Sequence, residues 1–189
     1  MTTTNFGMVG LGRMGANIVR RLARHKITSA VYDVSPDAVK TLAAEGAIGA
    51  SDMADLAAKL ATPRTIWIMV PASVTDSTIA AMAENLSPGD TIIDGGNSYY
   101  KNDLKNAELL KAKGINFVDI GTSGGVYGLE RGYSLMIGGD KAVVASLDPI
   151  FKALCPGIES AERTPVAQVN QCKLNTGICT ADLSVLATL

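Results

Sequence analysis

Residues 6–33 read FGMVGLGRMGANIVRRLARHKITSAVYD: a short apolar run, a glycine-rich turn, a helix-forming stretch and a second apolar run that ends in an acid. Gly10, Gly12 and Gly15 give the spacing G-x-G-x-x-G. In a strand-turn-helix unit the first of these glycines makes the tight turn, the second lets backbone approach a pyrophosphate, and the third lets the helix pack on the strand. Met8 and Val9 precede the turn as strand-like residues, and Ile18, Val19 and Leu22 supply the apolar face of the helix that follows. The helix amino end turns free N–H groups and a partial positive charge toward an anion. Asp33 stands 18 residues beyond Gly15, where an acid accepts hydrogen bonds from both ribose hydroxyls and repels a 2′-phosphate. The stretch therefore predicts a dinucleotide site that prefers NAD over NADP.

The rest of the chain repeats the pattern. A helix is expected over 36–45, with Ser35 as its cap, Pro36 opening it, Val39 and Leu42 on one face and Gly46 ending it. Residues 47–50 suit a brief strand, and Ser51 is placed to cap a helix carrying Met53, Leu56, Ala57 and Leu60. TIWIMV, residues 65–70, is a continuous apolar run of strand length, as expected for a strand covered on both faces. Further helices are expected over 74–85, 102–113 and 141–154, with strands over 91–94, 115–120 and 133–137. Alternating strands and helices predict an α/β fold of Rossmann type, doubly wound around a mainly parallel sheet.

Composition narrows the function classes. With 189 residues, 47% hydrophobic and 19% charged, and a net charge of −1, the chain has the makings of one globular domain with a tail. No basic excess points to nucleic acid. No apolar run approaches a membrane span and the start MTTTNFG has no signal-peptide pattern, so a cytoplasmic location is expected. Cys155, Cys172 and Cys179 form no CxxC pair, which speaks against a disulfide framework and against a metal site. His25, the only histidine, falls at a helix end and reads as a solvent-facing residue.

Ligands of such folds collect at the carboxyl ends of the strands. Three loops there carry informative residues: Val70 and Pro71 after the apolar strand, DGGNS with Asn97 after the next, and DIGTSGG after a third. Asn97 offers both a donor and an acceptor. Ser123, Gly124 and Gly125 suit an anion-holding nest.

With these segments in order and spacing, GLGRMGANIVRRL, MVPAS, IIDGGNSYYKND, DIGTSGGVYGLERGYSLMIGG and SAERTP, the chain resembles the amino-terminal domain of the decarboxylating 6-phosphogluconate dehydrogenases. The likeness is to their shorter, NAD-preferring bacterial type and runs from Phe6 to about Pro165, so residues 1–165 are expected to form the dinucleotide-binding domain. It implies cofactor contacts from Gly10, Leu11, Gly12, Arg13, Met14, Gly15, Asp33, Val70, Pro71 and Asn97. It also implies substrate contacts from Asn97, Ser123, Gly124 and Gly125. The implied reaction oxidises the 3-hydroxyl of 6-phosphogluconate with NAD, releases carbon dioxide and protonates the enediol to ribulose 5-phosphate. A homo-oligomer is implied for the intact enzyme.

The same family carries its proton-transferring lysine in a GAGHFVKM segment that opens an all-helical second domain, and this sequence contains neither. Lys173, in CKLNTG, has the wrong neighbours for that role. No catalytic residue of the family is therefore expected in the chain, which reads as a fragment inactive alone. Residues 166–189 are expected to be a non-family tail. Their codons, read out of frame, permit GRTGEPMQAEHGYLHCGPVGAGHF, the string the family would place there. Two other readings stay open: a dinucleotide-binding module that acts without catalysis, and a 3-hydroxyacid dehydrogenase of the wider β-hydroxyacid dehydrogenase family.

Overall fold

Strand β1 (Thr4–Val9) occupies the centre of the sheet because Phe6, Met8 and Val9 are apolar enough to be covered on both faces. The computed structural model describes residues 4–98, 100–157 and 178–181. After β1 come α1 (Arg13–Arg24), β2 (Ala30–Tyr32), α2 (Pro36–Ala44), β3 (Ile48–Gly49), α3 (Met53–Ala58) and β4 (Leu60–Ile68). Then follow α4 (Ala72–Ala83), β5 (Thr91–Asp94), α5 (Tyr100–Ala112), β6 (Asn116–Ser123), a 3-10 turn (Gly125–Tyr127), α6 (Gly128–Arg131) and β7 (Ser134–Gly139). Helices α7 (Lys141–Ser146) and α8 (Asp148–Leu154) and strand β8 (Ile178–Ala181) complete the described chain.

Among the described residues the eight strands form one sheet in the order β3-β2-β1-β4-β5-β6-β7-β8. Strands β1 to β6 run parallel, so the order reverses between β1 and β4, the switch point at which doubly wound sheets bind ligands. The side chains of β4 divide between the two faces: Ile66 and Ile68 enter one core cluster and Trp67 the other. All three are fully buried, as the apolar run over 65–70 predicts.

Several expected boundaries move. The cap of α3 is Asp52 rather than Ser51: its carboxylate accepts the Asp55 N–H at 2.8 Å, while the Asp55 carboxylate reaches back to the Ser51 N–H at 2.8 Å. This reciprocal arrangement satisfies two donors at once, which a serine one residue earlier cannot do. Ser35 sits at the cap position of α2 but makes no side-chain bond there. Leu60 starts β4 instead of ending α3, and β4 stops at Ile68, leaving Met69 and Val70 to turn into Pro71 and α4. The single helix expected over 141–154 is two, α7 and α8, because Pro149 has no N–H with which to continue the first.

The largest difference concerns β6. It runs on to Ser123, so Gly121, Thr122 and Ser123 lie in a strand and not in a loop. The cause is β7, which returns antiparallel beside β6 and pairs Gly121 with Met136 and Ser123 with Ser134. Strand β8 adds parallel to β7 and comes from the segment expected to be a tail; Cys172, Lys173 and residues 183–189 lie outside the described residues. His25 caps the carboxyl end of α1 and is exposed, as its position in the sequence predicts.

Candidate functional site

The glycine turn is built by three different constraints. Gly10 has φ +94°, its N–H donates to the Tyr32 carbonyl at 3.0 Å, and a Cβ there would strike the Met69 carbonyl. A Cβ on Gly15 would overlap the Gly10 carbonyl oxygen, so the third glycine is what lets α1 pack against the turn. At Gly12 a Cβ would meet nothing within 4 Å. That empty volume beside the helix end is the space a pyrophosphate needs. Gly12 is the cap of α1 and supplies no side-chain acceptor, and the first turn of α1 holds no acid. The amides there are left for an anion. These features fit a dinucleotide.

Asp33 follows β2 and its carboxylate is doubly tied: Oδ2 accepts the Leu11 N–H at 2.6 Å and Oδ1 accepts the Ser35 N–H at 2.8 Å. The acid expected at the ribose thus also holds the glycine turn in place. The bond to Leu11 is a role that sequence spacing does not disclose.

A cleft of about 730 Å³ opens along the carboxyl ends of the central strands. It brings together Gly12, Arg13, Met14 and Gly15 from the turn, Val70 and Pro71 after β4, Asn97 after β5, and Ser123 and Gly125 beyond β6. Gly10, Leu11, Asp33 and Gly124 are not among its walls. Gly10 and Gly124, with φ +94° and +143°, shape the backbone behind it. Gly121 and Thr122 of the DIGTSGG stretch line it too, and Met69 and Met136 do so without having been singled out in the sequence. Met136 had a signal: in SLMIGG it alternates with buried Leu135 and Ile137, and it is 60% exposed.

Carboxylates lie under the loop that carries Asn97. Asp94 is fully buried; its Oδ1 accepts the Gly96 N–H at 2.9 Å and its Oδ2 accepts the Ser98 hydroxyl at 2.7 Å. Asn97 is therefore held between two anchored neighbours. Ser98 Oγ is also 3.2 Å from Asp103 Oδ1 on α5, and Asp119 on β6 stands beside Asp94 in the parallel register. Asp76 on α4 accepts the side-chain amides of Asn102 and Asn106 at 2.7 and 3.0 Å. Burial, followed by the neighbouring Asp94, pushes the Asp103 carboxyl up to about 6. Burial, followed by Asp103 and Asp94, pushes Asp119 up to about 7. Asp94 moves up as well, mainly through burial.

These acids are harder to ionise folded than unfolded, so the native state binds more protons between about pH 4 and 7 and stability falls as pH rises through that window. The lowered acids Glu45, Asp55 and Glu130 act in the opposite sense, but below that window. Asp103→Asn keeps a polar partner for Ser98 and removes one titration. It is expected to raise stability by about 2 kcal/mol at pH 8 and to change little at pH 4. Urea melts of both proteins across pH 4 to 8 check this. An unchanged pH slope in the variant would show that Asp103 is not the titrating group.

The chain that builds this cleft matches a known family. Residues 5–161 fit the family described as the NAD binding domain of 6-phosphogluconate dehydrogenase. The chain belongs to that family. The NAD-dependent decarboxylating 6-phosphogluconate dehydrogenase of Haloferax volcanii is 39% identical over 154 residues, covering 80% of this chain and 50% of its own length. The Plasmodium falciparum 6-phosphogluconate dehydrogenase, solved with NADP+ and with 6-phosphogluconate, superposes with a TM-score of 0.77 at 25% identity, covering 83% of this chain and 35% of that one. A 3-hydroxyisobutyrate dehydrogenase from Salmonella typhimurium superposes with a TM-score of 0.71 at 26% identity, covering 80% and 53%. The chain spans about a third to a half of the length of the curated relatives it matches. As an NAD-binding domain it has the α/β doubly wound architecture that its glycine turn predicts. Among the described residues no helix is long and apolar enough to cross a membrane.

Proposed function

We propose that this NAD-binding domain serves the oxidative decarboxylation of 6-phosphogluconate to ribulose 5-phosphate, with NAD as its preferred cofactor. The observation that carries this is the single cleft in which the phosphate turn, the Val70–Pro71 corner, Asn97 and Ser123 face one another. The Gly10 to Gly15 turn binds the pyrophosphate, with Leu11, Arg13 and Met14 supplying backbone, and Asp33 takes the ribose hydroxyls. Val70 and Pro71 border the nicotinamide. Asn97 spans nicotinamide and substrate, and Ser123, Gly124 and Gly125 hold the substrate. NAD, when bound, would supply the hydride acceptor; the residues of this chain orient the sugar acid and keep its carbon chain along the cleft. Proton transfer belongs to the family's lysine, which has no counterpart in these 189 residues. The domain by itself therefore binds cofactor without turning over substrate. The 3-hydroxyisobutyrate dehydrogenase likeness supports a second reading, a smaller 3-hydroxyacid as substrate.

The NAD preference follows from Asp33 and from what comes after it. Val34 is 89% exposed and is followed by Ser35 and Pro36, so no cation in that stretch meets a 2′-phosphate. Two charge-assisted bonds to the ribose, at about 1.5 kcal/mol each, set a discrimination of roughly 2 to 3 kcal/mol, or 30- to 150-fold. Titration with NADH and NADPH, followed by energy transfer from Trp67, measures it. NADPH binding as tightly as NADH would reject the preference, and NADH formation from NAD and 6-phosphogluconate by the pure chain would reject the assignment of proton transfer to the missing lysine.

A further inference from the structure

Arg21 is a buried cation whose guanidinium makes its contacts with backbone carbonyls and not with a carboxylate. It lies on the third turn of α1, is 9% exposed, and among the described residues no carboxylate pairs with it. Glu130, the nearby acid, is taken by Arg24 in a fork of 2.7 and 3.0 Å. The Arg21 guanidinium instead donates to four backbone carbonyls. Nε reaches Leu154 at 2.8 Å and Ala153 at 3.1 Å, Nη1 reaches Leu129 at 3.1 Å, and Nη2 reaches Cys155 at 3.4 Å. Three of these carbonyls belong to the carboxyl end of α8, where the helix dipole is negative, and a planar fork with five donors is the one side chain able to hold them together. Desolvating a cation is costly, and an apolar residue would fill a helix–helix contact more cheaply.

What the grip reaches explains the charge. Leu129 lies in α6, the short helix that follows the Ser123-Gly124-Gly125 corner of the cleft. The Leu154 carbonyl that takes Arg21 Nε also accepts the Tyr133 N–H at 2.9 Å. The Tyr133 ring, fully buried, is the floor of the same corner: a Cβ on Gly124 would come within 2.9 Å of it, and one on Gly128 would overlap it. Arg24 adds a second bond to the Leu129 carbonyl at 3.1 Å. The residue that fixes the corner from below therefore sits on the helix whose other end, about 13 Å away, is the phosphate turn.

We propose that Arg21 is a positioning residue: through the carbonyls of Leu129 and Leu154 it ties the Gly124–Gly132 corner to the cofactor helix, so that substrate loop and phosphate turn keep one spacing. Its effect on substrate placement rests on the reading above of Ser123, Gly124 and Gly125 as substrate-holding; its hold on the corner does not.

Hydrogen exchange on the full chain, without ligand, tests the hold. Arg21→Ala is expected to lose about tenfold or more of the protection of amides 124–132, while amides 6–9 of β1 change by less than about twofold. Guanidinium at about 20 mM, far below denaturing concentrations, should refill the hole and restore most of the protection, whereas ammonium at the same concentration should not. Arg21→Lys keeps the charge and the stem, folds even where alanine does not, and should show intermediate protection. Wild-type protection in the lysine variant, a loss spread equally over β1 and the corner, or no rescue by guanidinium would each overturn the proposal. Adding NADH and 6-phosphogluconate to the wild-type chain should protect residues 123–125 further. If it does not, the substrate reading fails while the comparison among the Arg21 variants still decides the rest.

Discussion

Gly15→Ala will weaken NADH binding by about a hundredfold or more, equivalent to roughly 2.7 kcal/mol. The new methyl would overlap the Gly10 carbonyl oxygen and come within 3.1 Å of its carbon and 3.6 Å of Met69 Cβ. Those atoms are backbone, or are fixed by it, and cannot swing aside. Gly10 is itself held by its positive φ, its bond to Tyr32 and the adjacent Met69 carbonyl. The helix must slide from the turn, and its first amides leave the position proposed for pyrophosphate contact. Gly12→Ala separates binding from folding, because its methyl enters open space. The thermal midpoint should hold within about 2 °C, since surface changes cost under about 0.5 kcal/mol, while NADH affinity still falls. NADH affinity within about threefold of wild type in Gly15→Ala would place the cofactor elsewhere.

Gly95→Ala will destabilise the domain by about 3 kcal/mol and dislodge the loop that carries Asn97, at the upper end of what overpacking a core costs. Trp67 lies fully buried behind Gly95, with Phe6 edge-on to its ring at 6.4 Å between centroids and 64° between planes. A Cβ on Gly95 would overlap indole Nε1 and sit 2.7 Å from Cε2 and 3.0 Å from Cδ1. Either the indole leaves its packed site or the chain after Asp94 lifts, and the second route breaks the bonds from Gly96 and Ser98 to Asp94. Trp67 is the only tryptophan, so its emission reports the event directly. A lowered urea midpoint and a red-shifted native spectrum are expected; an unchanged midpoint with an unchanged spectrum would mean that the loop has room the packing does not show.

Much of this protein is written locally. The G-x-G-x-x-G spacing, the apolar face of Ile18, Val19 and Leu22, and the unbroken run TIWIMV depend on neighbours a few residues away. Helix and strand periods and the steric limits on backbone angles act at that range. They determined the strand-helix alternation, the doubly wound sheet and the three loops that meet at the cleft. Local patterns mislead where two residues compete for one role. Asp52 wins the cap of α3 from Ser51 because Asp55 can answer it, and Pro149 divides a helix whose apolar pattern continues across the break.

Tertiary structure alone decided what lies behind and between those loops. The antiparallel return of β7 turned Gly121–Ser123 into strand and set Met136 in the wall of the cleft. Asp94, Asp103 and Asp119 are unremarkable acids in the sequence until packing puts them together away from water and moves their proton affinities. Arg21 reads as one more surface cation of an amphipathic helix until residues 132 and 133 positions further along the chain bring their carbonyls to it. The sequence by itself determined most of the strand-helix alternation and the glycine turn between β1 and α1, since those follow from bonded neighbours. Which buried polar groups share an environment depends on contacts between distant segments, and only the assembled fold specifies them.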